Sequence, residues 1–189
     1  NAGAYGFDMS SAVAEVEAYD LNSGQPVKLN NQACRFGYRH SIFKTRKNFF
    51  AARVKLKLAK GRPSKIAELS RKNFRDRFES KPKEPSAGCI FKNLEYKKVI
   101  KQNQRLAEDL AAKGLVRDGK IGAGHLIDQL GLKGRSQGGA KVSQRHANFI
   151  INTGKAEAKD VMNLINLIKK KIKDKYKINL EEEIQYFGV

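Results

Sequence analysis

The sequence predicts an α+β fold, and three observations carry that prediction. Residues 49–58 alternate with a period of two, Val54, Leu56 and Leu58 on one face and Arg53, Lys55 and Lys57 on the other. Residues 156–175 repeat apolar side chains at helical spacing. Strands with antiparallel turn signals are mixed with helices along one chain. Taken in order, residues 12–21 (Ala-Val-Ala-Glu-Val-Glu-Ala-Tyr-Asp-Leu) read as a strand. Asn22-Ser23-Gly24 supplies a turn, and Val27 to Leu29 returns as the second arm of a hairpin. The alternating stretch 49–58 is a half-exposed antiparallel strand. Gly61-Arg62-Pro63-Ser64 breaks it, and Ser64 caps a helix to about Phe78 with Ile66, Leu69, Phe74 and Phe78 as its stripe. The prolines of Lys81-Pro82-Lys83-Glu84-Pro85 force an extended segment. A second helix covers 95–113, with Val99, Leu106 and Leu110 on one side and Gly114 as its stop. A short helix from His125 to Leu130 ends at Gly131. Phe149-Ile150-Ile151 is a short buried strand. The strongest helix, 156–175, carries Val161, Leu164, Ile165, Ile168 and Ile172 on one stripe, and Lys169-Lys170-Lys171 suits the negative end of its dipole. A closing strand runs from about Ile178 to Phe187. The break before the first helix divides the chain into 1–62 and 63–189.

The chain has 189 residues, 40% of them hydrophobic, enough for one large or two small packed units. No apolar run reaches the length of a membrane span, and Asn1-Ala2-Gly3-Ala4-Tyr5-Gly6 has neither the basic nor the apolar region of a secretory signal. That start lacks an initiator Met and reads like the inside of a glycine-rich turn, as expected of a piece of a longer protein. Two cysteines, Cys34 and Cys89, are too few for a disulfide framework or a cysteine zinc site. They fit a reducing cytoplasm. The three histidines (His40, His125, His146) lack metal-ligand spacing, so no metal is expected. The net charge of +19 fits a nucleic-acid surface or a pocket for an anionic ligand. However, the lysines are spread along the chain among acidic residues, and aromatics do not alternate with the basic clusters as a stacking platform requires. Most of the charge therefore reads as solvated surface.

Four runs have the residue types for chemistry. In Arg35-Phe36-Gly37-Tyr38-Arg39-His40-Ser41-Ile42-Phe43-Lys44, Arg39 offers a planar fork for a carboxylate or a developing oxyanion; the run also reads as a solvated basic loop. In Pro85-Ser86-Ala87-Gly88-Cys89-Ile90-Phe91-Lys92-Asn93, a protonated thiol stands beside Lys92 and Asn93, two groups suited to an anion; a lone cysteine is more often a small buried hydrophobe. The run Gly134-Arg135-Ser136-Gln137-Gly138-Gly139-Ala140 lets a backbone approach a ligand, or simply makes a tight connection. In Leu180-Glu181-Glu182-Glu183-Ile184, alternation puts Glu181 and Glu183 on one face and Glu182 on the other. Three adjacent glutamates are more often a solvated edge.

In order and spacing, these runs resemble the UDP-N-acetylenolpyruvoylglucosamine reductase family, flavoenzymes that make UDP-N-acetylmuramate for peptidoglycan. The resemblance also covers Ala123-Gly124-His125-Leu126-Ile127-Asp128, Gly131-Leu132-Lys133-Gly134, His146-Ala147-Asn148-Phe149-Ile150 and Asn152-Thr153-Gly154. It implies that 1–62 is the remainder of a FAD-binding domain and 63–189 a C-terminal substrate-binding domain. The first flavin subdomain has no counterpart in this sequence. The resemblance further implies FAD and NADPH as cofactors, a UDP-sugar substrate, a monomer, a cytoplasmic location, and neither nucleic acid nor membrane as partner. Cys89 would protonate the substrate, where many relatives carry serine. Arg39 and Glu183 would stabilise the reacting charge. Tyr38, Lys92 and Asn93 would contact substrate, and Asn1, Ala2, Gly3, Tyr5 and Gly6 would lie along the flavin. Leu94 to Ile121 is longer than the family's usual connection and reads as an added helix over the substrate domain. The short interval from Arg39 to Cys89 resembles the branch lacking a tyrosine-bearing loop. Two other readings stay open at the level of sequence: a basic nucleic-acid-binding module, and a piece that binds the UDP-sugar without catalysis.

Overall fold

The computed structural model describes residues 1–188 apart from Tyr5. The chain divides into two compact units, 1–73 and 74–189, and mixes helices and antiparallel sheets as an α+β protein does.

In the first unit, a small hairpin pairs β1 (Gly3–Ala4) with β2 (Phe7–Asp8). A three-stranded antiparallel sheet follows, built from β3 (Val13–Asp20), β4 (Gln25–Asn30) and β5 (Phe49–Leu56), with β3 central. The predicted hairpin is the β3–β4 pair, closed where Asp20 faces Gln25. A single turn of helix, α1 (Ile42–Thr45), precedes β5. Val13, Val16 and Cys34 form the core under this sheet, with Met9, Leu29, Phe36 and Phe43 around them. Burial raises the Cys34 thiol above its usual range, so this cysteine is the small hydrophobe that lone cysteines usually are. One expectation fails here. The apolar side chains of β5, Val54 and Leu56, are exposed along with its cations. The next helix, α2 (Pro63–Ser80), begins in this unit at the predicted break and ends in the second, and Ile66, Leu69, Phe74 and Phe78 stand on it as an exposed stripe. Alternation and helical period reveal a face that wants cover. They do not supply the cover, and the described residues bury no side chain of α2.

The second unit has a larger core. Strands β6 (Ser86–Cys89), β7 (Leu94–Glu95), β8 (Val116–Arg117) and β9 (Lys120–Ile121) come first, with α3 (Tyr96–Gln102) and α4 (Gln104–Ala112) lying between β7 and β8. Then come α5 (Ala123–Asp128), β10 (Ser136–Gln137), β11 (Ala140–Val142), β12 (Phe149–Asn152) and α6 (Ala158–Tyr176). The main sheet runs β10-β11-β12-β6, all antiparallel, and β7-β9-β8 makes a second, small sheet. The stripe of α6 (Leu164, Ile165, Ile168 and Ile172) is buried with Ile90, Phe91, Ile150 and Val142. Burying each such side chain contributes about 1.5–3 kcal/mol.

Two predicted elements change form. The helix expected over 95–113 breaks at Asn103, which leaves helical geometry to accept the Leu106 N–H and to donate to the Tyr176 carbonyl at 2.9 Å. Asparagine competes for backbone groups in this way and favours caps over helix interiors. Val99, Ala107, Leu110 and Ile121 belong to the core, so the long 94–121 connection helps build the unit from within. The closing strand shrinks to a single antiparallel bridge, Phe91 to Glu182. No helix among the described residues is long and apolar enough to cross a membrane.

Candidate functional site

The candidate residues fall into two groups, one in each unit. In the first, Gly37 and His40 exchange backbone hydrogen bonds of 3.0 Å in both directions and close a two-residue turn around Tyr38 and Arg39. Arg39 sits at φ +53°. An arginine in the left-handed region costs about 1–2 kcal/mol, and such strain is concentrated at functional positions. Its guanidinium stacks 5.2 Å from the centre of the Tyr38 ring. The turn is anchored by Asn1, whose Nδ2 donates to the Gly37 carbonyl (2.9 Å) and to Asp8 (3.1 Å) while its Oδ1 accepts the Ser10 N–H (3.0 Å). A Cβ added at Gly3 would lie 2.8 Å from the Asp8 Cβ and 3.1 Å from the Arg39 Nη1. Glycine suits position 3 because the Asp8 Cβ, and after it the Phe7 carbonyl at 3.1 Å, leave no room for a side chain, with the Arg39 guanidinium beside them. Asn1, Gly3 and Arg39 are brought together, with Ala2 and Gly6 exposed alongside. The assignment of Tyr5 lies outside the described residues.

In the second group, Cys89 ends β6, half-buried, opposite Phe149 of β12. Gly88 at φ +87° bends the chain just before it. The terminal segment then pairs alongside. The Lys92 N–H donates to the Glu181 carbonyl (2.9 Å), and the Glu183 N–H donates to the Ile90 carbonyl (2.7 Å). Glu183 is therefore carried to within a residue of Cys89, although 94 positions separate them in sequence (183 − 89). The three glutamates divide the work. Glu181 forms an ion pair with Lys92. Glu182 accepts from Lys169 of α6 (2.9 Å) and from the Tyr186 hydroxyl (2.7 Å). Burial opposes charge on Glu182, but those two donors outweigh it and hold its carboxyl below the usual range. Burial, with this carboxylate next to it, pushes the Tyr186 phenol up to about 12. Asn93 is exposed just beyond Lys92.

Asn148 stands behind this segment. It is buried, and its carboxamide serves both backbone groups of Phe91: Oδ1 accepts the N–H at 3.0 Å and Nδ2 donates to the carbonyl at 2.8 Å. Its own carbonyl accepts the Ile90 N–H at 2.8 Å. The His146 Nδ1 accepts the Asn148 N–H at 3.2 Å, and the ring packs edge-on to Phe149. Burial, followed by the nearby Lys81 ammonium, lowers the His146 pKa to about 4, so the ring is neutral at pH 7 and free to accept. Sequence reasoning assigned no role to Asn148 or Tyr186, and placed Lys169 only as a cation at the end of its helix. An asparagine directly before an apolar strand was the available signal for the first, and nothing local marks Tyr186 or the Lys169 contact to Glu182.

The glycine run resolves as a tight connection. Gly138, at φ +52°, and Gly139 form the loop between β10 and β11. The Gly139 N–H is donated to the Asp160 carboxylate at 3.1 Å, and a Cβ there would meet the backbone of Lys155 and Ala156 at 2.3 Å. That amide is committed inside the protein.

Comparison with known proteins adds to this geometry. Residues 80–187 match the family model described as UDP-N-acetylenolpyruvoylglucosamine reductase, C-terminal domain. The UDP-N-acetylenolpyruvoylglucosamine reductase of Fervidobacterium nodosum is 39% identical over 186 residues, covering 98% of this chain and 52% of that protein. The one from Caldanaerobacter subterraneus subsp. tengcongensis is 38% identical over 189 residues, covering 100% and 54%. The crystal structure of UDP-N-acetylenolpyruvylglucosamine reductase from Thermus caldophilus superposes with a TM-score of 0.73 at 31% identity, over 98% of this chain and 56% of that one. The chain spans about half the length of the curated relatives it matches.

Proposed function

The chain belongs to the UDP-N-acetylenolpyruvoylglucosamine reductase family, and we propose on that premise that it is the part of such an enzyme that binds a UDP-N-acetylglucosamine enolpyruvate and protonates it, yielding UDP-N-acetylmuramate for peptidoglycan in the cytoplasm. The observation that carries this reading is the pairing of 181–183 with 90–92 inside the matched region, which sets a thiol, an ammonium and a carboxylate-bearing segment on neighbouring backbone. Residues 63–189 would form the substrate domain and 1–62 the remainder of the FAD-binding domain.

FAD is compatible with the first group of residues. Ala2, Gly3 and Gly6 are small enough for a flat ring system to lie on their backbone, whereas the Asn1 carboxamide is already spent on Asp8, Gly37 and Ser10, so Asn1 would contribute through its main chain. A FAD held along the backbone of Ala2, Gly3 and Gly6 would supply, once reduced by NADPH, the hydride for C3 of the enolpyruvyl group.

The chain's own residues do the rest. Arg39, fixed in its strained turn, holds the substrate carboxylate and the negative charge that develops at C2, with its fork already oriented. Cys89 gives its thiol proton to C2, forming the new C–H bond as the S–H bond breaks, and the thiolate regains a proton from water. Glu183 completes the electrostatics around the thiol. Lys92, steadied by Glu181, and the exposed Asn93 grip the diphosphate of the UDP-sugar, and Tyr38 packs against substrate. The basic-module alternative is not favoured.

The test uses an enzyme spanning the full length of the relatives. It should be yellow and should oxidise NADPH only when the enolpyruvyl UDP-sugar is present. Cys89→Ser should retain much of the turnover, because a hydroxyl also donates. Cys89→Ala should lose at least about 100-fold in kcat, within the range of general acid catalysis. Full turnover by Cys89→Ala would show that another group is the acid.

A further inference from the structure

We infer that Asn148 is a positioning residue for this reaction, setting Cys89 and Lys92 in register with the Glu181–Glu183 segment; the inference rests on the reductase reading above. Phe91 and Glu182 face one another as a bridge whose hydrogen bonds are made by their neighbours, Lys92 to Glu181 and Glu183 to Ile90. Both backbone groups of Phe91 therefore point away from the terminal segment. On that side β12 has no backbone left to offer, because the chain turns between His146 and Phe149, where the Phe149 N–H donates to the His146 carbonyl at 2.9 Å. The Asn148 carboxamide takes the place of the missing strand, one donor and one acceptor against one acceptor and one donor. Residues 90–92 are thus held from both sides, by the Asn148 side chain and main-chain carbonyl on one and the terminal segment on the other.

The proposed acid lies one residue before this clamp and the proposed anion-binding lysine one residue after its centre. Loss of the clamp leaves a buried N–H and a buried carbonyl without partners, and the cheapest relief is a shift of 90–92 toward water. A shift of about 1 Å is enough to cost on the order of 100-fold in rate. An uncharged amide is required, because a carboxylate of the same shape accepts from the Phe91 N–H but cannot donate to its carbonyl. A protonated carboxyl can do both.

Asn148→Asp in the full-length enzyme is the discriminating variant. At pH 8.5 its kcat should fall at least about tenfold, with bound flavin and the KM for NADPH unchanged. Activity should recover as pH falls and the introduced carboxyl regains its proton, a step absent from the parent enzyme. Amide exchange at Phe91 should follow the same pH step. A kcat within twofold of the parent at every pH overturns the inference, as does a uniform loss without the pH step, which marks Asn148 as a fold residue only. A parent enzyme that fails to turn over the enolpyruvyl UDP-sugar overturns the underlying reading and this role with it. An active parent with an indifferent Asn148→Asp overturns this role alone.

Discussion

Arg39 and His146 show how single residues divide between activity and stability. Arg39 stands in left-handed backbone, which glycine occupies without strain. Arg39→Gly should therefore leave the melting temperature unchanged or slightly raised, the relief of about 1 kcal/mol being offset by the lost stacking on Tyr38. The same change should abolish turnover in the full-length enzyme. Arg39→Lys keeps the charge but not the fork, and should lose most of the rate while binding substrate. A melting temperature that drops with Arg39→Gly would assign the strained turn to folding. His146 acts in the other direction. Its pKa is about 4 when folded against about 6.5 when unfolded. Between those values the unfolded chain binds the extra proton, so this contribution is complete above pH 6.5 and is lost as pH falls toward 4. After allowance for solvent at its exposed edge, about 1–2 kcal/mol is at stake. Urea unfolding at pH 7.5 and 4.5 should show a smaller pH difference for His146→Gln than for the parent chain, and equal differences would remove His146 from the account.

The β10–β11 loop and the start of α6 form one mechanical element. Asp160 accepts from both Gly139 and Glu157 at 3.1 Å, closing a capping box and fastening the loop to the helix. Asp160→Ala should cost about 1–2 kcal/mol. Gly139→Ala, whose methyl would enter the Lys155–Ala156 backbone, should cost more, and thermal unfolding of the two variants should rank them in that order. Much of this element was legible in advance. The stripe of α6 follows from spacing alone, because burial along a helix obeys a fixed period. The arginine turn and the thiol run were visible as motifs. What stayed hidden depended on long-range pairing. The Asn103 amide donating to the Tyr176 carbonyl and the Asn148 clamp on Phe91 are side chains that stand in for backbone partners. No local pattern encodes such a replacement, since its cause lies tens of residues away.

At the scale of the molecule, the two units are unequally furnished. The second buries a continuous core from Ile90 to Leu180, while the first gathers Val13, Val16 and Cys34 under a three-stranded sheet. The charge of +19 belongs to this picture as much as to any ligand. Along β5 and the segment after it, Arg53, Lys55, Lys57, Lys60 and Arg62 occur with no acidic residue between 49 and 62, beside the exposed Phe50, Val54 and Leu56. β5 is also a border of its sheet, with one row of main-chain groups unpaired by any strand among the described residues. Like charges keep such a border from zipping onto its copy in another molecule, and that repulsion reaches only about 10 Å at 0.1 M salt and 3 Å at 1 M. The chain should therefore stay dispersed in dilute buffer and form oligomers as sodium chloride is raised. Lys55→Gln with Lys57→Gln should bring the onset, followed by light scattering, to lower salt.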